Sequence, residues 1–412
     1  MSIELISPLA NTRSKLAGII AQIEVVSGSE YPYQDSRTAV NELRSLIDRM
    51  MRRLDGFELY PPNVQKSLLR QGNYLIVIVT ELLGFIVRST STRNLFELYY
   101  PFKEISKKFV GENVRLILSS DWQYSPFTYP YGLDELPTFI LIGLPASESE
   151  NALVFPTAGH ELGHNRWRAN EYGKALAPDL EESVYEAYEA NRAEFERVFT
   201  LKGADIRNDM FVQPIIRQSV NLSLRQSEEL YCDFTGLSLF GKSYLFAFDY
   251  LIAPGLSSHR DSKYPSLETR VSLLSKYAGE LGFQVNGFAE RFNAEKLAGA
   301  EASNFMVLMA DRAVESITER LFQMAHSHVA STVGNPFSSE SEAHALQCFT
   351  NGVPSERVHT LGDLMNAAWS VFNGPDLNQL NNKGQSKTQF LTDLVVKSAE
   401  NLEYLSYRDA KH

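Results

Sequence analysis

Cysteine is scarce in this chain, and its scarcity excludes one class of protein. The 412 residues contain two cysteines, Cys232 and Cys348. Two thiols are too few for the disulfide framework that holds small secreted domains together. Residues 1–5 also lack the basic region and apolar core of a secretory signal. Both absences predict a protein that stays in the reducing cytoplasm.

Basic runs and long apolar runs are missing as well. The formal net charge is −11 at pH 7 and the sequence pI is about 5.4, whereas nucleic acid or an anionic membrane would favour a basic patch. The most hydrophobic stretch, residues 74–87, contains Glu81 and is shorter than the ~20 residues that span a bilayer. The sequence therefore predicts no nucleic-acid partner and no membrane span, and residues 74–87 are expected to form a buried helix.

Helical periodicity dominates the chain. An i, i+3/i+4 apolar stripe predicts a helix in the N-terminal region, and its members are Ala39, Leu43, Leu46, Ile47, Met50 and Leu54. Further helices are predicted over residues 147–172, 223–252 and 306–325, and on both sides of the polar stretch 373–387. The expected fold class is mainly α (α+β), with an N-terminal helical region (1–117), a central core (118–300) and a C-terminal helical region (301–412).

One short segment is predicted to be a strand. Residues 138–143 are β-branched and aromatic, and the run is ended by Gly143 and Pro145. Such a strand could lie at a sheet edge and receive an extended peptide, or it could be a core strand covered on both faces. The sequence leaves these two alternatives open.

The most specific motif of the chain is His-Glu-Leu-Gly-His at residues 160–164. On a helix, positions i and i+4 share a face, so His160 and His164 can converge on one metal ion. Glu161 then faces a water on that metal and can act as its general base. Two imidazoles and a glutamate at this spacing predict a catalytic zinc site, with one zinc ion per chain.

A catalytic zinc has three protein ligands and an open position, so a third ligand is required. Glu229 is the best candidate, because Asp233 lies one turn later on the same predicted helix and can accept the spare ring N–H of a ligating histidine. Glu228 competes with Glu229 but has the wrong offset from Asp233. Cys232 is a second competitor, although a buried structural thiol is the preferred interpretation of this residue.

These residues resemble the zincin metallopeptidases of the gluzincin type, which pair H-E-x-x-H with a later E-x-x-x-D. The long spacer and the later Tyr-Pro-Ser-Leu-Glu-Thr-Arg at residues 264–270 are most similar to the prenyl-protease-type gluzincins, which have a His-Pro followed by an Arg. Here Tyr264 replaces that histidine. The resemblance implies a zincin-like catalytic core with a small β-sheet, and it leaves Tyr264, His259 and Arg270 as candidate donors to the transition-state oxyanion.

The predicted function is therefore a zinc-dependent metallopeptidase that hydrolyses a peptide or protein substrate with a zinc-bound water activated by Glu161. Motifs of other enzyme classes are missing, since the sequence has no glycine-rich phosphate motif and no serine nucleophile elbow. Two alternatives remain. The chain could be a zinc-stabilised regulatory or interaction protein with a peptidase-like fold, or a helical scaffold in which the motif arose by chance.

Overall fold

The computed structural model describes residues 7–89, 95–255, 257–374 and 384–409. The protein is mainly helical with one small sheet, as predicted. Its cores form two compact units, one of residues 1–96 and 113–149 and one of residues 97–112 and 150–412. This grouping differs from the division at residues 117 and 300, because strand pairing ties residues 115–145 to the first unit and helix packing ties the C-terminal helices to the second.

The first unit packs three helices against the sheet. The helices are α1 (Pro8–Ser27), α2 (Gln34–Asp55) and α3 (Pro62–Arg88). The predicted apolar stripe on α2 is confirmed, since its residues are buried in one aliphatic cluster with the other two helices, apart from the partly buried Leu46. The heptad-like spacing of large aliphatic residues is what presents this stripe to the core.

Helix α3 is less buried than the sequence predicts. It is the one helix among the described residues that, by length and composition, could cross a membrane. One face packs in the core of the first unit, whereas Tyr74 and Val77 on another face are 60% and 65% exposed. The expectation of a buried helix is therefore corrected, because the run is apolar around its circumference and only one face meets other elements.

The sheet has the order β1-β3-β2. Strand β1 (Arg115–Asp121) pairs with β3 (Phe139–Pro145) in parallel, and β2 (Phe127–Thr128) pairs with β3 in antiparallel orientation. The predicted strand at 138–143 is thus confirmed as β3. It lies in the middle of the sheet with buried side chains, so the edge-strand alternative is wrong and the core-strand alternative holds.

The second unit is built of helices. Their bounds are α4 Tyr99–Val110, α5 Ala158–Ala169, α6 Tyr172–Ala190, α7 Arg192–Phe199, α8 Gln213–Phe240, α9 Lys242–Ile252, α10 Leu267–Glu280, α11 Glu301–Thr332, α12 Ser339–Thr350, α13 Leu361–Asn373 and α14 Lys387–Asp409. Helix α8 packs most extensively against α11 and α5. The candidate ligands on α5 and α8 therefore lie in the interior of this unit.

Two predicted helices have different bounds in the structure. The helix expected over 147–172 begins at Ala158, because Pro156 lies in a short preceding 3-10 helix, Ala152–Thr157. The helix expected over 223–252 is two helices, α8 and α9. They are separated at Gly241, whose positive φ of 57° favours glycine and ends α8.

The C-terminal region agrees with the sequence in outline. The helix predicted over 306–325 is the core of the longer α11. The two helices predicted beside the polar stretch 373–387 are α13 and α14, and residues 375–383 of that stretch lie outside the described residues. Helix α12 begins in a segment that the sequence analysis does not assign to a helix.

Candidate metal centre

Two glycines let helices α5 and α8 approach closely. A Cβ atom on Gly163 would lie 2.8 Å from the Cα atom of Cys232, and one on Gly159 would lie 3.1 Å from the Cα atom of Gly236. The backbone of α8 occupies the space that a side chain at Gly159 or Gly163 would need, so a larger residue at either position would push the two helices apart. This close packing brings the side chains of α5 within hydrogen-bond distance of the carboxylates of α8.

Each histidine of α5 donates its Nδ1–H to a carboxylate of α8. His160 donates to Asp233 Oδ1 and His164 donates to Glu228 Oε1, both at 2.9 Å. An ionised carboxylate can only accept, so Nδ1 of each ring carries a hydrogen and Nε2 is the atom left to bind a metal. Carboxylates commonly orient metal-binding histidines in this way.

Glu229 faces both open Nε2 atoms. Its Oε2 is 3.3 Å from His160 Nε2, and its Oε1 is 3.7 Å from His164 Nε2. Oε2 is buried and has no hydrogen-bond partner among the described residues. Ligand atoms about 2.0–2.2 Å from a tetrahedral zinc lie roughly 3.3 Å apart, and the separation of Glu229 Oε2 from His160 Nε2 has that value.

Cys232 lies close to both histidines. His160, His164 and Cys232 each offer a ligand atom within 4.8 Å of the others, so the thiol remains a competing third ligand. Burial, followed by the charges of the neighbouring carboxylates, raises the pKa of Cys232 well above its usual range. The neutral thiol packs against Gly163, whereas Glu229 presents an ionised carboxylate to Nε2 of both histidines, which favours Glu229 as the ligand.

A buried network holds Asp233. Arg270 donates two hydrogen bonds of 2.8 Å to its carboxylate, and the Tyr244 hydroxyl donates a third of 2.7 Å. Burial alone would raise the pKa of Asp233, but Arg270 and His160 lower it below its usual range. Asp233 therefore stays ionised and fixes the orientation of His160, as the E-x-x-x-D spacing predicts.

The pKa of His160 depends on the charges around its imidazole. Burial lowers its pKa, but the neighbouring carboxylates of Asp233 and Glu229 outweigh burial and raise the pKa to about 10. The carboxylates on α8 thus favour a positive charge between the two helices. A divalent cation satisfies the same requirement.

Glu161 is suited to proton transfer. It lies on α5 next to His160 and is nearly completely buried. Burial raises the pKa of its carboxyl, while the charges of His160 and His164 oppose that effect. A carboxylate whose pKa is moved upward toward neutral pH is a stronger general base than a solvated one.

The three candidate oxyanion donors have different positions. The Arg270 guanidinium is committed to Asp233, so its structural role is in the network that orients His160 rather than the predicted role of oxyanion donor. Tyr264 packs its ring 5.6 Å from the Arg270 guanidinium, and the charge of Glu229, followed by burial, raises its pKa to about 12. His259 is exposed and contacts Ser257, Ser258 and Lys296. The structure therefore brings Tyr264 beside the Arg270–Asp233 network and does not bring His259 there.

The sequence analysis does not predict two contacts at the centre, those of Glu228 with His164 and of Tyr244 with Asp233. Glu228 is treated there as a competing ligand, but it is the partner of His164, and Tyr244 on α9 is not singled out. A signal for Glu228 exists in the spacing. If α5 and α8 cross antiparallel, Asp233 beside His160 places the α8 residues four to five positions earlier, Glu229 and Glu228, near His164.

Comparison with known proteins finds no match for this chain among family models, curated proteins or solved structures.

Proposed function

We propose that the second unit is a zincin-like catalytic core and that the protein is a zinc-dependent metallopeptidase of the gluzincin type. The observation that carries this proposal is the convergence of the Glu229 carboxylate on His160 Nε2 and His164 Nε2, at 3.3 and 3.7 Å. The Nδ1 atoms of both histidines are bound by carboxylates, which is the arrangement that presents Nε2 to a metal.

The residues around the centre fit the hydrolysis of a peptide bond. When bound, zinc acts as a Lewis acid that polarises the scissile carbonyl and lowers the pKa of water. Glu161 accepts a proton from the attacking water and returns it to the leaving amine. Tyr264, kept protonated by its raised pKa, donates a hydrogen bond to the developing oxyanion. The substrate is then a peptide or protein.

The test is hydrolysis of a proteome-derived peptide mixture by zinc-loaded protein, read by mass spectrometry. Glu161→Gln should keep the zinc and reduce cleavage by about 10²–10⁴-fold, the usual contribution of a general base. Glu186→Gln, which changes an exposed glutamate of α6, is the matched control and should retain wild-type cleavage.

Three results would contradict the proposal. Wild-type rates in Glu161→Gln would exclude Glu161 as the base. Zinc binding without cleavage of any peptide would favour a zinc-stabilised regulatory or interaction protein. Absence of zinc from the reconstituted wild type would leave a helical scaffold.

A further inference from the structure

Helix α3 of the first unit presents a regular stripe of residues to solvent. The members recur at alternating intervals of four and three, and all are exposed except the partly exposed Gly84 and Arg88. They are Asn63, Ser67, Arg70, Tyr74, Val77, Glu81, Gly84 and Arg88. This is the spacing of the a and d positions in a coiled-coil heptad. These eight residues, the outer stripe of α3, are therefore spaced for packing against a second helix.

The outer stripe is complementary to an antiparallel copy of itself. In a pair of identical helices related by a two-fold axis, the same surface is used on both sides. An axis between Leu75 and Ile76 sets the members opposite each other in four kinds of pair: Tyr74 with Val77, Arg70 with Glu81, Ser67 with Gly84, and Asn63 with Arg88. Each pair joins an a position with a d position, so every residue of the stripe has a counterpart.

Two charges give this pairing its complementarity. Arg70 is exposed and makes no ion pair with any described residue. Glu81 is also exposed, and its Oε1 accepts a hydrogen bond of 3.0 Å from the Tyr129 hydroxyl, but it has no cationic partner among the described residues. The antiparallel pairing sets Arg70 opposite Glu81 twice, whereas a parallel pairing in register sets Arg70 against Arg70. The charges therefore favour the antiparallel direction.

The remaining positions suit close contact between two helices. Tyr74 and Val77 lie at the centre of the stripe, and both are large apolar side chains that are mostly exposed. Ser67 and Gly84 are small, and the nearest heavy atom to a Cβ built on Gly84 would be Arg88 Nη1 at 3.8 Å, so the space outside Gly84 is open. Helix α3 has 27 residues and is about 40 Å long, so all of these pairs fit along it.

A membrane is the other occupant that an apolar helix face suggests, because α3 could cross one by length and composition. The outer stripe fits a bilayer poorly. In hydrocarbon, Arg70 and Glu81 would lose their hydration without gaining a partner, whereas a second copy supplies an opposite charge to each. The inner face of α3 is packed in the core of the first unit, so lipid could not surround the helix.

We propose that the outer stripe of α3 is the interface of a homodimer, in which α3 of one chain packs antiparallel against α3 of a second copy. Tyr74 and Val77 of both chains form its apolar centre, and an ion pair of Arg70 with Glu81 flanks the centre on each side. The interface uses residues of the first unit only. It is independent of the proposed peptidase function.

Sedimentation equilibrium over a range of protein concentrations tests the dimer. The wild type should approach twice the 46.4 kDa mass of one chain. Arg70→Glu sets like charges opposite each other at both ion pairs and should weaken the dimer about 100-fold, and Glu81→Arg should do the same. The double variant Arg70→Glu/Glu81→Arg restores opposite charges and should recover the wild-type dissociation constant. Arg49→Glu, at an exposed position of α2, is the matched control and should remain dimeric.

Disulfide cross-linking tests the direction and register of the two helices. Ser67→Cys and Gly84→Cys are prepared as separate proteins and oxidised either alone or as a mixture. The mixture should form a linked dimer, because position 67 of one chain faces position 84 of the other. Neither variant should form it alone, since two copies of the same position are about 25 Å apart along the helices. The wild type, with its own Cys232 and Cys348, gives the background.

Several outcomes would overturn the proposal. A wild type that is monomeric at every concentration has no such interface, and a dimer that survives both single charge reversals has its interface elsewhere. A double variant that folds, as circular dichroism shows, but stays monomeric would refute the ion pairs. Disulfide formation by Ser67→Cys alone would indicate parallel helices. A monomer that sediments with phosphatidylcholine–phosphatidylglycerol vesicles, and loses this binding in Val77→Asp, would make a membrane the occupant.

Discussion

The first unit and the crossing of α5 with α8 in the second unit bury different kinds of side chain. The core cluster of the first unit is aliphatic and aromatic, and its buried Asp35 accepts the backbone N–H of Leu116. At the crossing, Glu161, Glu228, Asp233 and Arg270 are all nearly inaccessible to solvent. The core cluster of the first unit is thus mainly apolar, whereas the crossing buries several charged groups whose removal from water costs free energy.

This difference indicates what the crossing is for. Apolar packing is sufficient to fix helices in this chain, as the first unit shows, and a buried ion pair is often no more stabilising than an apolar replacement. Buried charges with perturbed pKa values that cluster around one point are more typical of a functional site than of a stabilising one. A bound cation would remove the mismatch that the apoprotein carries.

The largest change in stability should come from leaving one buried charge without its partner. Arg270→Met keeps the apolar stem of the side chain but removes both hydrogen bonds to Asp233. We expect a loss of about 3–5 kcal/mol in the free energy of unfolding, measured by urea titration. The control is Arg320→Met, which removes an exposed ion pair with Asp179 and should cost about 0–1 kcal/mol. Equal losses in the two variants would show that the buried contact of Arg270 with Asp233 contributes no more to stability than an exposed ion pair.

A slightly smaller loss is expected from a cavity in the first unit. Leu43 is fully buried in its core, so Leu43→Ala should cost about 2–5 kcal/mol. Leu59→Ala, at an exposed position of the same unit, should change stability by no more than about 0.5 kcal/mol. Zinc content should stay at the wild-type level in both variants. Loss of zinc from folded Leu43→Ala would contradict the assignment of metal binding to the crossing.

The smallest effect should appear in metal affinity rather than in stability. Glu228→Leu removes the acceptor of His164 Nδ1–H and should weaken zinc binding by about 10–100-fold, as loss of such an outer partner usually does. Glu228→Gln retains an accepting oxygen and should recover part of the affinity. Competition with a chromogenic chelator measures both. Unchanged affinity in Glu228→Leu would mean that His164 needs no orientation or does not bind the metal.

Local patterns predict the parts of the site that lie on one helix. The spacing of His160 and His164 on α5, and of Glu229 and Asp233 on α8, follows from helical periodicity alone. The partner of His164 does not, because it depends on how the two helices cross. Gly159 and Gly163 control that crossing, and their effect is visible only when α8 is in place.

The same distinction holds for the fold. The stripe on α2 and the strand β3 follow from periodicity and composition, and both are confirmed. The break at Gly241 is not predicted, since a glycine inside a helical pattern is compatible with either continuation or a turn. The exposed face of α3 is not predicted either, because an apolar run does not show which of its faces meets a neighbour.

The most direct measurement is the metal content of purified, zinc-reconstituted protein by elemental analysis, in the wild type and in His160→Ala, Glu229→Ala and Cys232→Ser. The account predicts one zinc ion per chain in the wild type and in Cys232→Ser, and none in His160→Ala or Glu229→Ala. Zinc retained in Glu229→Ala but lost in Cys232→Ser would make the thiol the third ligand. No zinc in the wild type would contradict the metal centre itself.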